Sequence, residues 1–264
     1  MFLPKSIRNL IADEAFETDH IGMSESSVFI YKNKILKVQE NNEEAANEYR
    51  MLQYLQKKLP VPFLYAYEIA DNKSYLLMSK CRGQMACSHE YLKNPLTLCR
   101  LLADALKRLW NIELSDCPSD QRLSNKLLQA ENNIKKGYVD LDHVEPDTFG
   151  KNGFRDPDEL LQWLYDNKPE EELVLSHGDF CLPNIFGIHS EVTGYIDLGK
   201  TGIADKWCDI ALCCRSLSHN YSGKYSCHKA PVYAGYDELL LFHELGIKPN
   251  WEKIRYYILL DELF

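Results

Sequence analysis

No stretch of this chain approaches the ~18 consecutive apolar residues of a membrane helix, which excludes a span of that kind. The first residues, with Asp13 and Glu14 soon after a brief apolar patch, lack the pattern of a secretory signal, so a cytoplasmic protein is expected. There is no paired C-x-x-C to hold zinc, and nine cysteines scattered over 264 residues make no disulfide framework. They are expected to be reduced, several as small core residues. Positive charge is in deficit: 30 Lys and Arg against 39 Asp and Glu leave a net −9, which argues against a nucleic-acid partner. Neither G-x-G-x-x-G nor a P-loop occurs. What remains is the apolar content of an ordinary globular protein, long enough for one domain or two.

The acids are not spread evenly. Residues 140–172 hold eleven acids against three bases. A solvated face accounts for most such runs, and a site for a polycation is the other reading.

Most of the recognisable chemistry lies in residues 173–199. Residues 173–175 are short and aliphatic, as in a buried strand, and run into Ser176, His177, Gly178 and Asp179. A carboxylate just past a rigid element suits a general base. Asn184 follows, then residues 185–189 and 192–196 read as a hairpin. With Ser190 and Glu191 as its turn, Asn184 faces Asp197 directly, and an amide oxygen beside a carboxylate suits Mg²⁺. Ser-Glu is not a favoured turn pair, and a register shifted by one residue is the alternative.

Residues 1–80 read as strand-rich, with a leading helix and one later helix. Residues 21–27 form a turn whose backbone N–H groups and Ser24 hydroxyl can fold over phosphates, a plain hairpin turn being the alternative. Residues 34–38 read as a strand with Lys37 opposite to Leu36 and Val38. In the helix expected over 43–58, Glu48 shares a stripe with Ala45, Leu52, Leu55 and Leu59. A carboxylate in an apolar seam needs a cation, and Lys37 is the one available. A strand lysine paired to a helix glutamate is how kinases hold a lysine on the α- and β-phosphates. Residues 75–79 form a further strand, broken at 80–83. From residue 95 the chain turns helical, with helices over 122–135, from Asp156, over 206–217 and over 251–264. A loop-rich acidic insertion occupies 137–154, and a polar loop 218–233. Asp209 is placed to tie the loop around Asp179 to its own helix.

Base, amide, hairpin and then Asp197-Leu198-Gly199 resemble the catalytic and metal loops of the protein-kinase-like fold. With IGMSES, LPVP, LLMS, KPEEELVLSHGD, PNIF, YIDLGKTGIADKWCDIA, LGIKP and YYILLDELF, the chain resembles the aminoglycoside 3'-phosphotransferases along nearly its whole length. The resemblance implies an α+β fold: a small antiparallel sheet lobe for nucleotide, residues 1–80, and a mainly helical catalytic and aminoglycoside-binding lobe, 81–264. It implies ATP, with GTP as an alternative, and Mg²⁺. Phosphorylation of the 3'-hydroxyl of kanamycin- or neomycin-type aminoglycosides, giving antibiotic resistance, follows, by a monomer or weak homodimer.

Carried over residue by residue, Asp179 is the base, Asn184 and Asp197 the Mg²⁺ ligands, and Lys37 and Glu48 the phosphate-holding pair. Met23 and Ser24 form the phosphate loop, while Ser79 C=O and Cys81 N–H meet adenine. Asp261, Glu262 and the Phe264 carboxylate match the antibiotic-binding end, joined by Glu145 and Asp147 from the acidic insertion and by Arg215. The chain departs from the pattern at Ile35, Leu182, Lys200 and the loop 218–235, all of which touch binding rather than the reacting groups. Two rivals stay open: a kinase of another small alcohol, such as a macrolide or an amino alcohol, and a nucleotide-binding protein without turnover.

Overall fold

In the computed structural model, which describes residues 3–12, 14–18, 26–142, 144–145, 147–224 and 233–264, a helix α1 (Lys5–Ile11) leads into an antiparallel sheet. The strands are β1 (Glu17–Thr18), β2 (Ser27–Ile30), β3 (Lys34–Glu40), β4 (Leu64–Ala70) and β5 (Lys73–Ser79), in the order β1-β2-β3-β5-β4. Helix α2 (Glu43–Leu55) joins β3 to β4. Alternation decides what each face of β3 meets. Leu36 and Val38 are buried against Ile7, Ile11, Tyr75 and Leu77, which leaves Lys37 on the side of α2. Asn42 caps α2 by accepting from Ala45 N–H at 2.9 Å. The helix ends three residues before the expected position, where Gln56 takes an extended ψ of 129° and Lys57 then turns left-handed at φ +76°.

The rest of the chain is mainly helical. Strand β6 (Gln84–Met85) precedes α3 (His89–Leu92), α4 (Pro95–Trp110), α5 (Leu123–Lys136) and α6 (Pro157–Asp166). Asp156 caps α6 through Glu159 N–H at 2.9 Å. Then come β7 (Leu173–Ser176), β8 (Ile185–Ile188), β9 (Glu191–Tyr195) and β10 (Gly202–Asp205), with α7 (Lys206–Ser222), α8 (Leu240–Leu245) and α9 (Trp251–Asp261) behind them. Strand β7 pairs with β10, and β8 pairs with both β6 and β9. One apolar cluster runs from α2 and the sheet, at Met51, Leu55 and Met78, into the rest of the chain, at Leu98, Leu102, Phe180 and Tyr257. The molecule is thus α+β, an antiparallel sheet set on a helical body. Among the described residues no helix is long and apolar enough to cross a membrane, and the cysteines are unpaired thiols.

Four further expectations need correction. Helix α9, expected over 251–264, ends at Asp261, with Glu262 as its cap. The hairpin turns at His189 and Ser190, not at Ser190 and Glu191: Ile188 pairs with Glu191, and Ile185 with Tyr195 across a bulge. His189 takes φ +54° to make that turn. Leu173 is exposed, so only the second half of β7 is buried. Helix α7 runs on to Ser222, through residues that read as loop. The expected phosphate-loop residues Met23 and Ser24 lie outside the described residues.

Candidate active site

Strand β7 delivers the chain to Ser176, His177 and Gly178, and one buried carboxylate organises the turn. Asp209, on α7, accepts from Ser176 Oγ at 2.9 Å, His177 N–H at 2.8 Å and Gly178 N–H at 2.9 Å. Gly178 has φ +80°, and a Cβ there would lie 2.0 Å from Lys200 O. Only glycine fits so close an approach in a left-handed conformation. The turn presents Asp179, whose carboxylate is held on both oxygens: Asn184 Nδ2 donates to Oδ2 at 2.9 Å, and Cys181 Sγ to Oδ1 at 3.1 Å. Asn184 Nδ2 also reaches Asp179 O at 3.0 Å.

Lys37 comes in from the sheet. Its Nζ lies 2.9 Å from Glu48 Oε2 and 2.7 Å from Asp197 Oδ1. Burial opposes its charge, yet the two carboxylates hold its pKa above the ordinary lysine value. Burial likewise opposes the charge on Asp197, and Lys37 overrides it, holding that carboxyl below its ordinary value. Glu48 is only 2% exposed. Asp197 adopts φ +60°, ψ 59°, a left-handed conformation that is uncommon away from glycine. The loop after it is fastened to α2, since buried Asn47 donates from Nδ2 to Gly199 O at 2.8 Å and Thr201 O at 2.9 Å.

The corrected register puts Asn184 opposite Ile196, whose N–H donates to Asn184 O at 3.0 Å, so Asp197 sits one step beyond rather than face to face. Among the described residues, the hydrogen bonds of the Asn184 amide use Nδ2, and those of Asp197 use Oδ1. One oxygen on each side chain is left for a hard cation. No group of three or more His, Cys, Asp or Glu is gathered there among the described residues. This donor set fits Mg²⁺ completed by phosphate and water.

The acids at the end of α9 are already partnered. Arg215 of α7 ion-pairs with Asp261, and its Nη1 lies 3.3 Å from Glu262 Oε1. Burial opposes the charge of Asp261, and Lys200 and Arg215 together keep its carboxyl below its ordinary value. Glu262 Oε2 accepts from Glu145 N–H at 3.0 Å. Glu145 Oε1 meets His219 Nε2 at 2.8 Å and Lys224 Nζ at 2.9 Å. Glu145, Arg215, His219, Tyr236 and Trp251 line a cavity of about 310 Å³. Asp147 lines a second one of about 670 Å³ with Glu159, Trp163 and Trp251. The Phe264 ring lies near two ammoniums, Lys126 Nζ at 4.9 Å and Lys200 Nζ at 5.8 Å from its centroid. Ser79 ends β5, its N–H donating to Phe63 O at 2.8 Å, and Cys81 lies in the connection to β6. His219 and Lys224 escaped the sequence reading. Their signal was the spacing of His219 four residues after Arg215, on one face of a helix that reads as ending at 217.

A strand lysine buried against a helix glutamate, and an Asp179 loop bonded to the neighbouring amide Asn184, place the protein among kinase-like phosphotransferases. Residues 20–256 match the model of the phosphotransferase enzyme family, and the chain belongs to that family. It is 38% identical over 277 residues to an aminoglycoside 3'-phosphotransferase of Enterococcus faecalis, covering 100% of this chain and 99% of the other. It is 37% identical to one of Staphylococcus aureus at the same coverage. The crystal structure of an aminoglycoside-3'-phosphotransferase of type VIII superposes with a TM-score of 0.79 at 24% identity, covering 98% of both chains. That of a Streptomyces rimosus aminoglycoside phosphotransferase in complex with ADP and streptomycin gives 0.75 at 22%, covering 98% and 96%. At those identities the superpositions speak for the fold.

Proposed function

We propose that this chain transfers the γ-phosphoryl group of ATP, or of GTP, to the 3'-hydroxyl of a kanamycin- or neomycin-type aminoglycoside, which inactivates the antibiotic. The observation that carries the reading is Lys37 Nζ set between Glu48 and Asp197, while Asp179 is bonded to Asn184. It is supported by full-length relatives named for that reaction.

In this reading residues 1–80 form the nucleotide lobe, with Ser79 C=O and Cys81 N–H at the adenine edge and Met23 and Ser24 over the phosphates. Residues 81–264 form the catalytic and acceptor lobe. Asp179 orients the acceptor hydroxyl and takes its proton as the oxygen bonds to the γ-phosphorus. The bond from that phosphorus to the β-γ bridging oxygen breaks, and the nucleoside diphosphate leaves. Lys37 faces the phosphates and offsets their charge. Mg²⁺ held by Asn184 and Asp197 would supply further charge neutralisation there. Glu145, Asp147, Asp261, Glu262 and Phe264 receive the acceptor's amines, with Arg215 setting the places of Asp261 and Glu262. The exposed pairs among these contribute only ~0.2–1 kcal/mol each, so several act together and high salt weakens binding.

The test is ADP release by the purified protein with Mg²⁺-ATP, and separately GDP release with Mg²⁺-GTP, using kanamycin beside tobramycin, which lacks the 3'-hydroxyl. Turnover with kanamycin alone supports both reaction and position. Turnover with neither sinks the antibiotic reading and directs the search to other small alcohols.

A further inference from the structure

The bases around the acceptor cavity are not equivalent. Arg215 stands in the middle of α7, mostly buried, and is fixed to two acids of α9. Lys224 lies past the end of that helix. Gly223 closes α7 in a left-handed conformation at φ +81°, and Lys224 N–H returns to His219 O at 3.0 Å. This cap folds the following residue back along the helix face. The Lys224 side chain thereby brings Nζ to 2.9 Å from Glu145 Oε1 while remaining 42% exposed. The backbone of Lys224 is anchored, and its ammonium rests on a carboxylate of the cavity wall. A primary ammonium on an acid of the cavity wall is the same chemical group that an amino sugar would bring to that wall.

We propose that Lys224 is a specificity-determining residue: its ammonium holds the place on Glu145 that an acceptor ammonium takes, and the acceptor must displace it. The inference rests on the aminoglycoside reading above. An exposed pair is weak and screened by water, so Lys224 can be displaced. Arg215 cannot leave in the same way, because Asp261 and Glu262 would lose their partner inside the fold. The attraction of Glu145 for an acceptor is therefore a difference between two ammoniums, not the full value of one. Acceptors that present several amines at once displace Lys224 most readily. A neutral sugar at the same place finds Glu145 already satisfied.

The experiment is steady-state kinetics with kanamycin for the wild type, Lys224→Met, Lys224→Arg, Glu145→Gln and the double variant Glu145→Gln/Lys224→Met. Lys224→Met is expected to lower the KM for kanamycin by about two- to five-fold, the size of one exposed ion pair, with KM for ATP unmoved. Lys224→Arg keeps the wild-type KM. In the Glu145→Gln background the substitution at 224 has no further effect, a coupling that a merely structural role would not produce. An unchanged or higher KM in Lys224→Met, or the same effect with and without Glu145, overturns the proposal. Absence of turnover in the wild type defeats the aminoglycoside reading instead. Calorimetric titration with the diamine 2-deoxystreptamine then decides the point at Lys224: tighter binding to Lys224→Met supports it, and equal or weaker binding overturns it.

Discussion

Lys37 Nζ lies 2.7 Å from Asp197 Oδ1, although 160 positions separate the two residues in the chain. The contact joins the sheet to the helical body at one charged point, with Glu48 on its other side. Replacing Lys37 by Met leaves Glu48 buried without its cation, a loss of about 3–5 kcal/mol where one partner of a buried pair is removed. Urea denaturation should show that loss as a lower midpoint, and turnover should fall at least ~10²-fold.

Asp179→Asn keeps the shape of the side chain and removes its capacity to take a proton. Turnover is expected to fall by about 10²–10⁴-fold, while nucleotide affinity measured by calorimetry stays near the wild-type value. Unimpaired turnover in this variant would rule Asp179 out as the base.

Asp209 tests the scaffold rather than the reacting groups. Asp209→Ala strands the Ser176 hydroxyl proton and the His177 amide in the interior, each at a cost of about 1–3 kcal/mol, while Gly178 N–H keeps Ser176 Oγ as an acceptor at 3.1 Å. Asp209→Asn retains one acceptor oxygen and should lose less. Thermal unfolding of the two variants beside the wild type checks that order.

Lys126 gives a pH dependence with a definite sign. It is buried, and burial lowers its pKa from the ordinary lysine value of 10.5. The unfolded chain therefore holds that proton more strongly than the folded one, so the folded state bears a cost that is complete at neutral pH. The cost disappears as pH rises through the depressed folded value toward 10.5. Lys126→Met should be more stable than the wild type at pH 7, and the gap should close as pH is raised. Urea midpoints across that range measure it.

Much of the site was legible because its residues stand out from a periodic background. The Lys37–Glu48 pair followed from one acid in an apolar helix stripe and one base on a half-buried strand, and the tie from Asp209 to the loop before Asp179 followed from its place on α7. The hairpin register was not legible. It depends on His189 adopting a left-handed turn and on a bulge between Phe186 and Gly187, and neither leaves a hydrophobic pattern. Helix α7 outran its apolar periodicity for a related reason. Its last residues are polar yet have partners in the fold: Asn220 Nδ2 donates to Ser216 O at 2.8 Å, and Tyr221 OH to Leu92 O at 2.8 Å. The partners of Glu145, His219 and Lys224, were missed with them, since they come from the unexpected end of that helix.

The two bonds from Asn47 to Gly199 O and Thr201 O bear on regulation. Protein kinases are commonly governed by the position of the helix that carries the glutamate of the lysine pair. Here the residue next to that glutamate is a buried amide spent on two carbonyls of the loop after Asp197, so swinging α2 outward would strand three polar groups at once. An outward, resting position of α2 would have to offset that loss.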